Sequence, residues 1–398
     1  MSATPSFIFV TCQVGAEPAL KSELARTWPD FKFAFSRPGF LTFKVPPGAR
    51  VPDSLDLNSV FARAHGISLG KTTAATPEER VREVWALLGG QKVEQLHVWP
   101  RDQHEPGARD YEPGMTVETA EAGRLLLEGA PSDAQKGPTI VAVNAPAAPG
   151  ELVADVVLVE PEQWWVGCHR AHSLPSCWPG GLFPELIPAD AVSRVYLKML
   201  ESIRWAGFPI GKGDRVAEIG CSPGGASQVL LQRGANVIGV DPAEMHPLVL
   251  GHPRFRHVRR RSKEVKRNEF VGVNWLTCDI NLPPNYTLDT VEAIVTYPGV
   301  HLRGMLLTLK MIDWSLAENI PEYIERVRSW GFRKAEVRQL HHNRREVCLA
   351  ASDFQKPAPR AESKSLAKGS DSRKPKAGKA KAPTRKKAGP GRRPKPKS

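Results

Sequence analysis

The stretch Asp214-Arg215-Val216-Ala217-Glu218-Ile219-Gly220-Cys221-Ser222-Pro223-Gly224-Gly225-Ala226-Ser227-Gln228 decides the fold. A short apolar run reaches a glycine, a Ser/Pro/Gly turn follows, and a helical pattern opens from that turn. This is the strand–turn–helix of a nucleotide-binding α/β sheet. Glycines at Gly220, Gly224 and Gly225 let backbone approach a bound nucleoside with no Cβ in the way. The next strand, Asn236–Val240, ends on Asp241, about 20 residues past the loop, where a carboxylate can accept hydrogen bonds from ribose hydroxyls. The third glycine of a dinucleotide-binding G-x-G-x-x-G is absent, which argues against a dinucleotide fold.

Upstream of the loop, Ala191–Ala206 reads as a helix; downstream, Trp275–Cys278, Met305–Leu309 and Val347–Ala350 read as strands. Together they define a doubly wound α/β domain over residues 190–354. The preceding 170 residues mix strands (Phe7–Val14, Phe40–Val45, Val93–Trp99, Thr139–Val143, Leu152–Val159) with helices (Glu17–Leu24, Pro77–Leu88, Val117–Leu127), the grammar of a separate α+β domain. Pro106–Gly114 and Ala130–Gly137 are rich in turn residues and read as loops. Residues 171–189 form a linker.

The 398-residue chain carries a formal charge of +13, unevenly spread. From Lys356 onward lie 16 of the 55 Lys/Arg and 2 of the 42 Asp/Glu, so that stretch carries +14 and the first 355 residues carry −1. The stretch 355–398 is Lys/Pro/Ala-rich and reads as a disordered basic tail, able to strengthen association with RNA electrostatically or to act as an entropic tail alone. Six scattered cysteines and an N-terminus without a secretory pattern imply a reducing, cytoplasmic setting. No run approaches the roughly 18 apolar residues that span a bilayer.

A set of charged residues stands at the ends of the α/β elements. Lys198 lies in the helix before the loop, Asp279 ends the Trp275–Cys278 strand, Lys310 follows Met305–Leu309, and Glu346 opens the last strand. Singly, each is more often a solvated charge; in this order beside these elements they suit activation of a weakly acidic hydroxyl. Positioning and proton removal are what such a nucleophile needs. A lysine becomes a base when burial or a second cation lowers its pKa, whereas a neighbouring carboxylate opposes that shift and orients the ammonium.

The Pro-Gly-Gly loop and the Lys198, Asp279, Lys310, Glu346 series resemble FtsJ-like 2′-O-methyltransferases, whose loop usually begins with Asp where this chain has Glu218. The body, residues 7–352, is similar to the bacterial large-subunit ribosomal RNA ribose methyltransferase M family, in which an N-terminal RNA-binding domain of THUMP type precedes the FtsJ-like domain. Thr11-Cys12-Gln13-Val14-Gly15-Ala16-Glu17 with Glu23-Leu24, Ser59-Val60-Phe61-Ala62-Arg63, and Trp164-Trp165-Val166-Gly167 with Ser173 and Pro175 carry the N-terminal resemblance, the last at the domain junction. The resemblance implies a Rossmann-like fold with a THUMP-like domain before it. It also implies S-adenosylmethionine as cofactor, held by Ser193, Gly220, Ser222, Pro223, Gly224, Gly225, Asp241 and Asp279. Lys310 would be the proton acceptor, Asp279 would lie between cofactor and substrate, and Lys198 and Glu346 would orient them. The implied partner is RNA, with a cytidine of large-subunit RNA as substrate; an FtsJ-like enzyme of transfer or messenger RNA and a non-catalytic assembly factor are the alternatives.

Arg259-Arg260-Arg261-Ser262 departs from the family, which tends to be acidic near the adenine, and Tyr297-Pro298-Gly299 and Asp313-Trp314 depart as well. The basic cluster from Arg254 to Arg267 reads equally as a phosphate-contacting patch or a solvated rim. Cys168, His169, His172 and Cys177 have metal-ligand chemistry, but their spacing matches no standard zinc pattern, and no metal is expected.

Overall fold

A computed structural model describes residues 6–131 and 142–355. The tail from Lys356 onward, most of the Ala130–Gly137 loop and all but the end of the expected Thr139–Val143 strand lie outside the described residues; Val143 itself bridges Leu96 in parallel.

The N-terminal half comprises β1 (Phe7–Thr11), α1 (Glu17–Thr27), β2 (Lys32–Arg37), β3 (Phe40–Lys44), β4 (Ala64–Lys71), α2 (Pro77–Leu88), β5 (Gln95–Pro100), α3 (Val117–Glu128), β6 (Leu152–Glu160) and β7 (Gln163–Arg170). Its strands form one sheet in the order β2-β3-β1-β4-β7-β6-β5, antiparallel except for the β5–β6 pair. Local chemistry sets the helices. Thr76 caps α2 by accepting from Glu79 N, with Pro77 in the first turn and Gly89 left-handed (φ 58) at the end. Thr116 and Thr119 cap each other at the start of α3.

Three strands of this sheet lie outside the sequence expectations: β2, β4 and β7. β2 is mostly exposed and β4 carries two glycines, which hides both patterns, whereas β7 holds a buried run, Val166–His169, that the sequence expectation assigned to the domain junction. Trp164–Gly167, expected at the domain junction, lies inside β7 instead, paired on both sides.

The C-terminal half comprises α4 (Val195–Ala206), β8 (Arg215–Ile219), α5 (Gly225–Gln232), β9 (Asn236–Val240), α6 (Pro247–Leu250), β10 (Phe255–Val258), β11 (Trp275–Cys278), α7 (Pro284–Val295), β12 (Gly304–Lys310), α8 (Ile320–Ser329), β13 (Phe332–Arg338) and β14 (Glu346–Phe354). The sheet order is β10-β9-β8-β11-β12-β14-β13; β10 through β12 run parallel, and β14 is antiparallel to both its neighbours. β8 lies between β9 and β11, so the chain leaves it in opposite directions. The carboxyl ends of β8 and β11 flank the switch point at which open α/β sheets bind ligands. β14 runs the other way, so its first residue, Glu346, pairs with the last residue of β12, Lys310.

The two sheets share a continuous apolar core. Phe61 meets Trp314 edge-on at 6.0 Å between ring centroids, while Asp313 accepts from Ser315 N at 2.7 Å to start the short turn that carries Trp314. The Asp313-Trp314 departure is thus part of the contact between the halves. Among the described residues, no helix is long and apolar enough to cross a membrane.

Candidate functional site

β8 runs into Gly220, whose φ of +81° falls in the left-handed region. A Cβ there would lie 2.4 Å from the Asp279 carbonyl oxygen. Glycine is required for both reasons, and the close approach ties the loop to the end of β11. Gly225 opens α5 under Ser193, with a hypothetical Cβ 2.3 Å from Ser193 Oγ. That hydroxyl is buried and has no hydrogen-bond partner. Asp241 accepts from Ser222 N (3.2 Å) and Ala243 N (2.8 Å), which fixes its carboxylate at the end of β9. Ser222 Oγ donates to Glu244 O at 2.7 Å, and Pro223 O accepts from His246 N. Gly224 packs against Val249 and Met245. The loop is therefore preformed, with an orphan hydroxyl on one side and an oriented carboxylate on the other, a donor set that fits the nucleoside of S-adenosylmethionine.

Glu218 does not join this rim. It points into the core at 3 % exposure and accepts from Ser227 Oγ at 2.5 Å, which pins the first turn of α5 to β8. Burial pushes its carboxyl up to about 8. Glu218 thus ties β8 to α5, because its side chain alternates toward the helix layer.

Lys198, Asp279, Lys310 and Glu346 meet across the carboxyl ends of β11 and β12. Lys198 Nζ donates to Asp279 Oδ2 and Glu346 Oε1, both at 2.6 Å. Lys310 Nζ donates to Glu346 Oε2 at 2.5 Å and lies 2.8 Å from Asp279 Oδ1. That contact closes the four-group set as an ion pair. Exposure grades the set: Lys198 and Glu346 are 7 % and 6 % exposed, Lys310 and Asp279 18 % and 21 %. The inner pair is enclosed, while the outer pair faces the crevice.

The electrostatics set the resting state of Lys310. Burial pulls the Lys310 pKa down, but Asp279 and Glu346 more than reverse this and hold it above the ordinary lysine value. Burial works against both carboxylates, and the two lysines overcome it, Glu346 also feeling Asp279; both stay below their usual range. Lys310 is therefore held as an ammonium, not a poised amine.

Sequence reasoning missed the residues that aim Glu346. Glu201, one helical turn beyond Lys198 on α4, accepts from His341 N (2.8 Å) and His342 N (2.9 Å) with its carboxyl pushed up to about 7 by burial. The loop it grips, residues 339–345, reaches into the N-terminal half. Gln339 N donates to Val60 O, Gln339 Nε2 to Gln13 Oε1 at 3.0 Å, His341 lies 3.0 Å from Pro113 O through Nε2, and Arg344 pairs with Glu112. The signal was present in the i, i+3 spacing of Lys198 and Glu201, which places both on one helix face.

The basic cluster splits. Arg256 pairs with Glu269, Arg259 with Glu244, and Arg254 and Arg267 donate to backbone carbonyls, whereas Arg260, Arg261 and Lys263 are solvent-exposed or nearly so. Arg259 also donates to Pro242 O, beside the Asp241 turn.

A glycine loop beside a largely buried Lys-Asp-Lys-Glu set is the arrangement that the resemblance to FtsJ-like methyltransferases implies. Residues 191–365 match the family model of the FtsJ-like methyltransferases, so this part of the chain is an FtsJ-like methyltransferase domain. The particular relatives are proteins named ribosomal RNA large subunit methyltransferase M. That of Laribacter hongkongensis is 26% identical over 253 residues, covering 61% of this chain and 64% of the relative. Those of Halorhodospira halophila (26% over 183 residues, 44% and 51%) and Azotobacter vinelandii (28% over 197 residues, 46% and 54%) are similar over shorter spans. The matches thus extend over half to just under two-thirds of the relatives' length.

Proposed function

We propose that this protein transfers the methyl group of S-adenosylmethionine to a ribose 2′-hydroxyl of large-subunit ribosomal RNA, most specifically a cytidine. The observation that carries the reading is the Lys198–Asp279–Lys310–Glu346 set, closed by ion pairs of 2.5–2.8 Å at the mouth of the glycine loop. S-adenosylmethionine, when bound, supplies an electrophilic methyl group. Asp241 would hold its ribose, and Gly220, Ser222, Pro223, Gly224, Gly225 and Ser193 would line the remainder. Asp279 would face both cofactor and substrate.

Lys310 and Asp279, the more exposed pair, present the reacting hydroxyl with an ammonium donor and a carboxylate acceptor. The hydroxyl is oriented first. Lys310 accepts its proton only after surrendering its own, and any cation brought beside Asp279 competes for that carboxylate and lowers the Lys310 pKa. Lys198 stays enclosed and holds Asp279 and Glu346 in register. RNA would be gathered by the N-terminal half, a THUMP-like domain on this reading, with residues 171–189 as linker. The described cysteines are all free, which suits a cytoplasmic enzyme.

The experiment is ribose-methylation mapping of total RNA from cells lacking the gene, complemented with wild type or Lys310→Ala. The expected outcome is loss of a single 2′-O-methyl group from large-subunit RNA in the null and Lys310→Ala strains, with cofactor binding retained by the purified variant. Full methylation by Lys310→Ala would refute its role, and an unchanged ribosomal map in the null strain would refute the substrate.

A further inference from the structure

Away from the crevice, Asp56, His65 and His172 converge from three segments: the loop before β4, β4 itself, and the chain just beyond β7. One ligand-type atom from each lies within 4.8 Å of the others. We propose that this cluster is a binding site for a zinc-class divalent transition metal, held by His65 Nδ1, His172 Nε2 and Asp56 Oδ2 with one position left for water.

Ring tautomers carry the argument. His65 Nε2 lies 3.0 Å from Leu55 O, and a carbonyl can only accept, so that nitrogen carries the proton. The longer 3.4 Å approach of Leu57 N to the same nitrogen is then no hydrogen bond. The lone pair therefore sits on Nδ1, which is buried and has no partner. His172 Nδ1 lies 3.1 Å from Arg170 O and donates there by the same reasoning, which turns the Nε2 lone pair toward Asp56 Oδ2 at 3.5 Å. Asp56 Oδ1 is already engaged by Asn58 N at 2.8 Å, leaving Oδ2 as the free oxygen. Each imidazole donates its second N–H to a backbone carbonyl, the arrangement that orients histidines around a metal.

The scaffold is rigid where it matters. Arg170 N donates to Asp53 O, and Arg170 Nη2 donates to Asp53 Oδ2 at 2.6 Å, which locks the Asp56 loop against the end of β7. The imidazole centroids are 6.2 Å apart. Tetrahedral coordination at ordinary Zn–N and Zn–O lengths needs donors about 3.3 Å apart, so small side-chain rotations close the site. Arg338 is a neighbouring cation that opposes occupancy, and Asp56 offsets it. The ordinary alternative is a His172 imidazolium paired with Asp56. That pairing leaves His65 Nδ1 buried with nothing to bind, which the metal explains. The sequence cluster of Cys168, His169, His172 and Cys177 shares only His172 with this set. His169 gives Nδ1 to Asp155 (2.6 Å) and Nε2 to Ser176 O (2.8 Å), leaving no nitrogen to coordinate.

The test uses the full chain without a histidine tag, stripped with chelator and dialysed. Titration with Zn²⁺ alone is expected to show one equivalent bound at micromolar concentration. Co²⁺ is expected to give tetrahedral d–d bands without a thiolate charge-transfer band. His172→Ala and Asp56→Ala, both at exposed positions, should keep the wild-type melting temperature in chelator while each loses at least tenfold in Zn²⁺ affinity. Absence of stoichiometric uptake, a thiolate band, or affinity undiminished by either substitution overturns the proposal. Methyl transfer is not part of the readout, so the metal site stands or falls separately from the catalytic reading.

Discussion

Replacing Lys198 by Met isolates the electrostatic logic of the site. In the wild type, two ammonium and two carboxylate groups balance; the variant keeps both carboxylates with Lys310 alone. Lys198 is 7 % exposed and lies 2.6 Å from each acid, so its removal strands a buried charge rather than a surface one. Breaking such a pair from one side costs about 3–5 kcal/mol. The protein can recover part of this by protonating one carboxylate, whose folded pKa then rises above its unfolded value. A group shifted in that sense stabilises below its unfolded pKa and loses that contribution as pH rises through the folded one. The wild-type carboxylates are shifted the other way, so their contribution persists until pH falls through their lowered values. The penalty should therefore be about 3–5 kcal/mol near pH 8 and shrink by up to about 1.4 kcal/mol per pH unit toward pH 5.5. Urea unfolding of both proteins at the two pH values reads this directly. A penalty below about 1 kcal/mol, or one that does not change with pH, would refute the reasoning.

Gly220→Ala forces a left-handed φ on alanine and drives a methyl toward Asp279 O. Isothermal titration with S-adenosylmethionine should show at least tenfold weaker binding, and near-wild-type affinity would show that the loop yields easily. Glu218, with its carboxyl pushed up to about 8, stabilises fully below its unfolded pKa and loses that contribution as pH rises toward 8. Glu218→Gln should consequently gain on the wild type as pH is raised from about 5 to about 8, measured by denaturant midpoints; parallel midpoint curves would show that Glu218 is already ionised.

How much of this was legible in the sequence follows the physics of each element. The glycine loop was legible because the chemistry of backbone approach leaves few residues to choose from. β11, a short apolar run closed by Asp279, was legible because it is buried on both faces. α2 and α3 were legible because Thr caps and Pro77 mark their starts. β2 was not, since it is a mostly exposed edge strand, and β4 was not, since both its partners, β1 and β7, are remote in sequence and it is interrupted by the irregularity at Ser68/Gly70; β7 was missed although it follows β6 as a hairpin. The four charged residues could be ordered along the chain, but no spacing rule reveals that β14 is antiparallel and so brings Glu346 opposite Lys310. The direction of the Lys310 shift was likewise invisible, because it depends on two carboxylates reaching one ammonium.

The connection between the halves runs through the same residue. Glu346 is the first residue of β14, and the loop before it is held by Glu201 from below and by Gln13, Val60, Pro113 and Glu112 from the N-terminal half. Gln13 Nε2 donates to Asn343 O, and Arg338 donates to Ala62 O at 3.0 Å. Arg63, beside it, donates to both Asp102 oxygens at 2.8 and 2.6 Å and to Gly180 O. A displacement of the N-terminal sheet must therefore be absorbed by this loop or passed to Glu346, the carboxylate shared by both lysines. A freely tethered RNA-binding module would need no such contacts. Buried polar groups on both sides make separation costly, since each stranded donor or acceptor loses about 1–3 kcal/mol. The geometry of the Lys198–Asp279–Lys310–Glu346 set is thereby conditional on the seating of the N-terminal half.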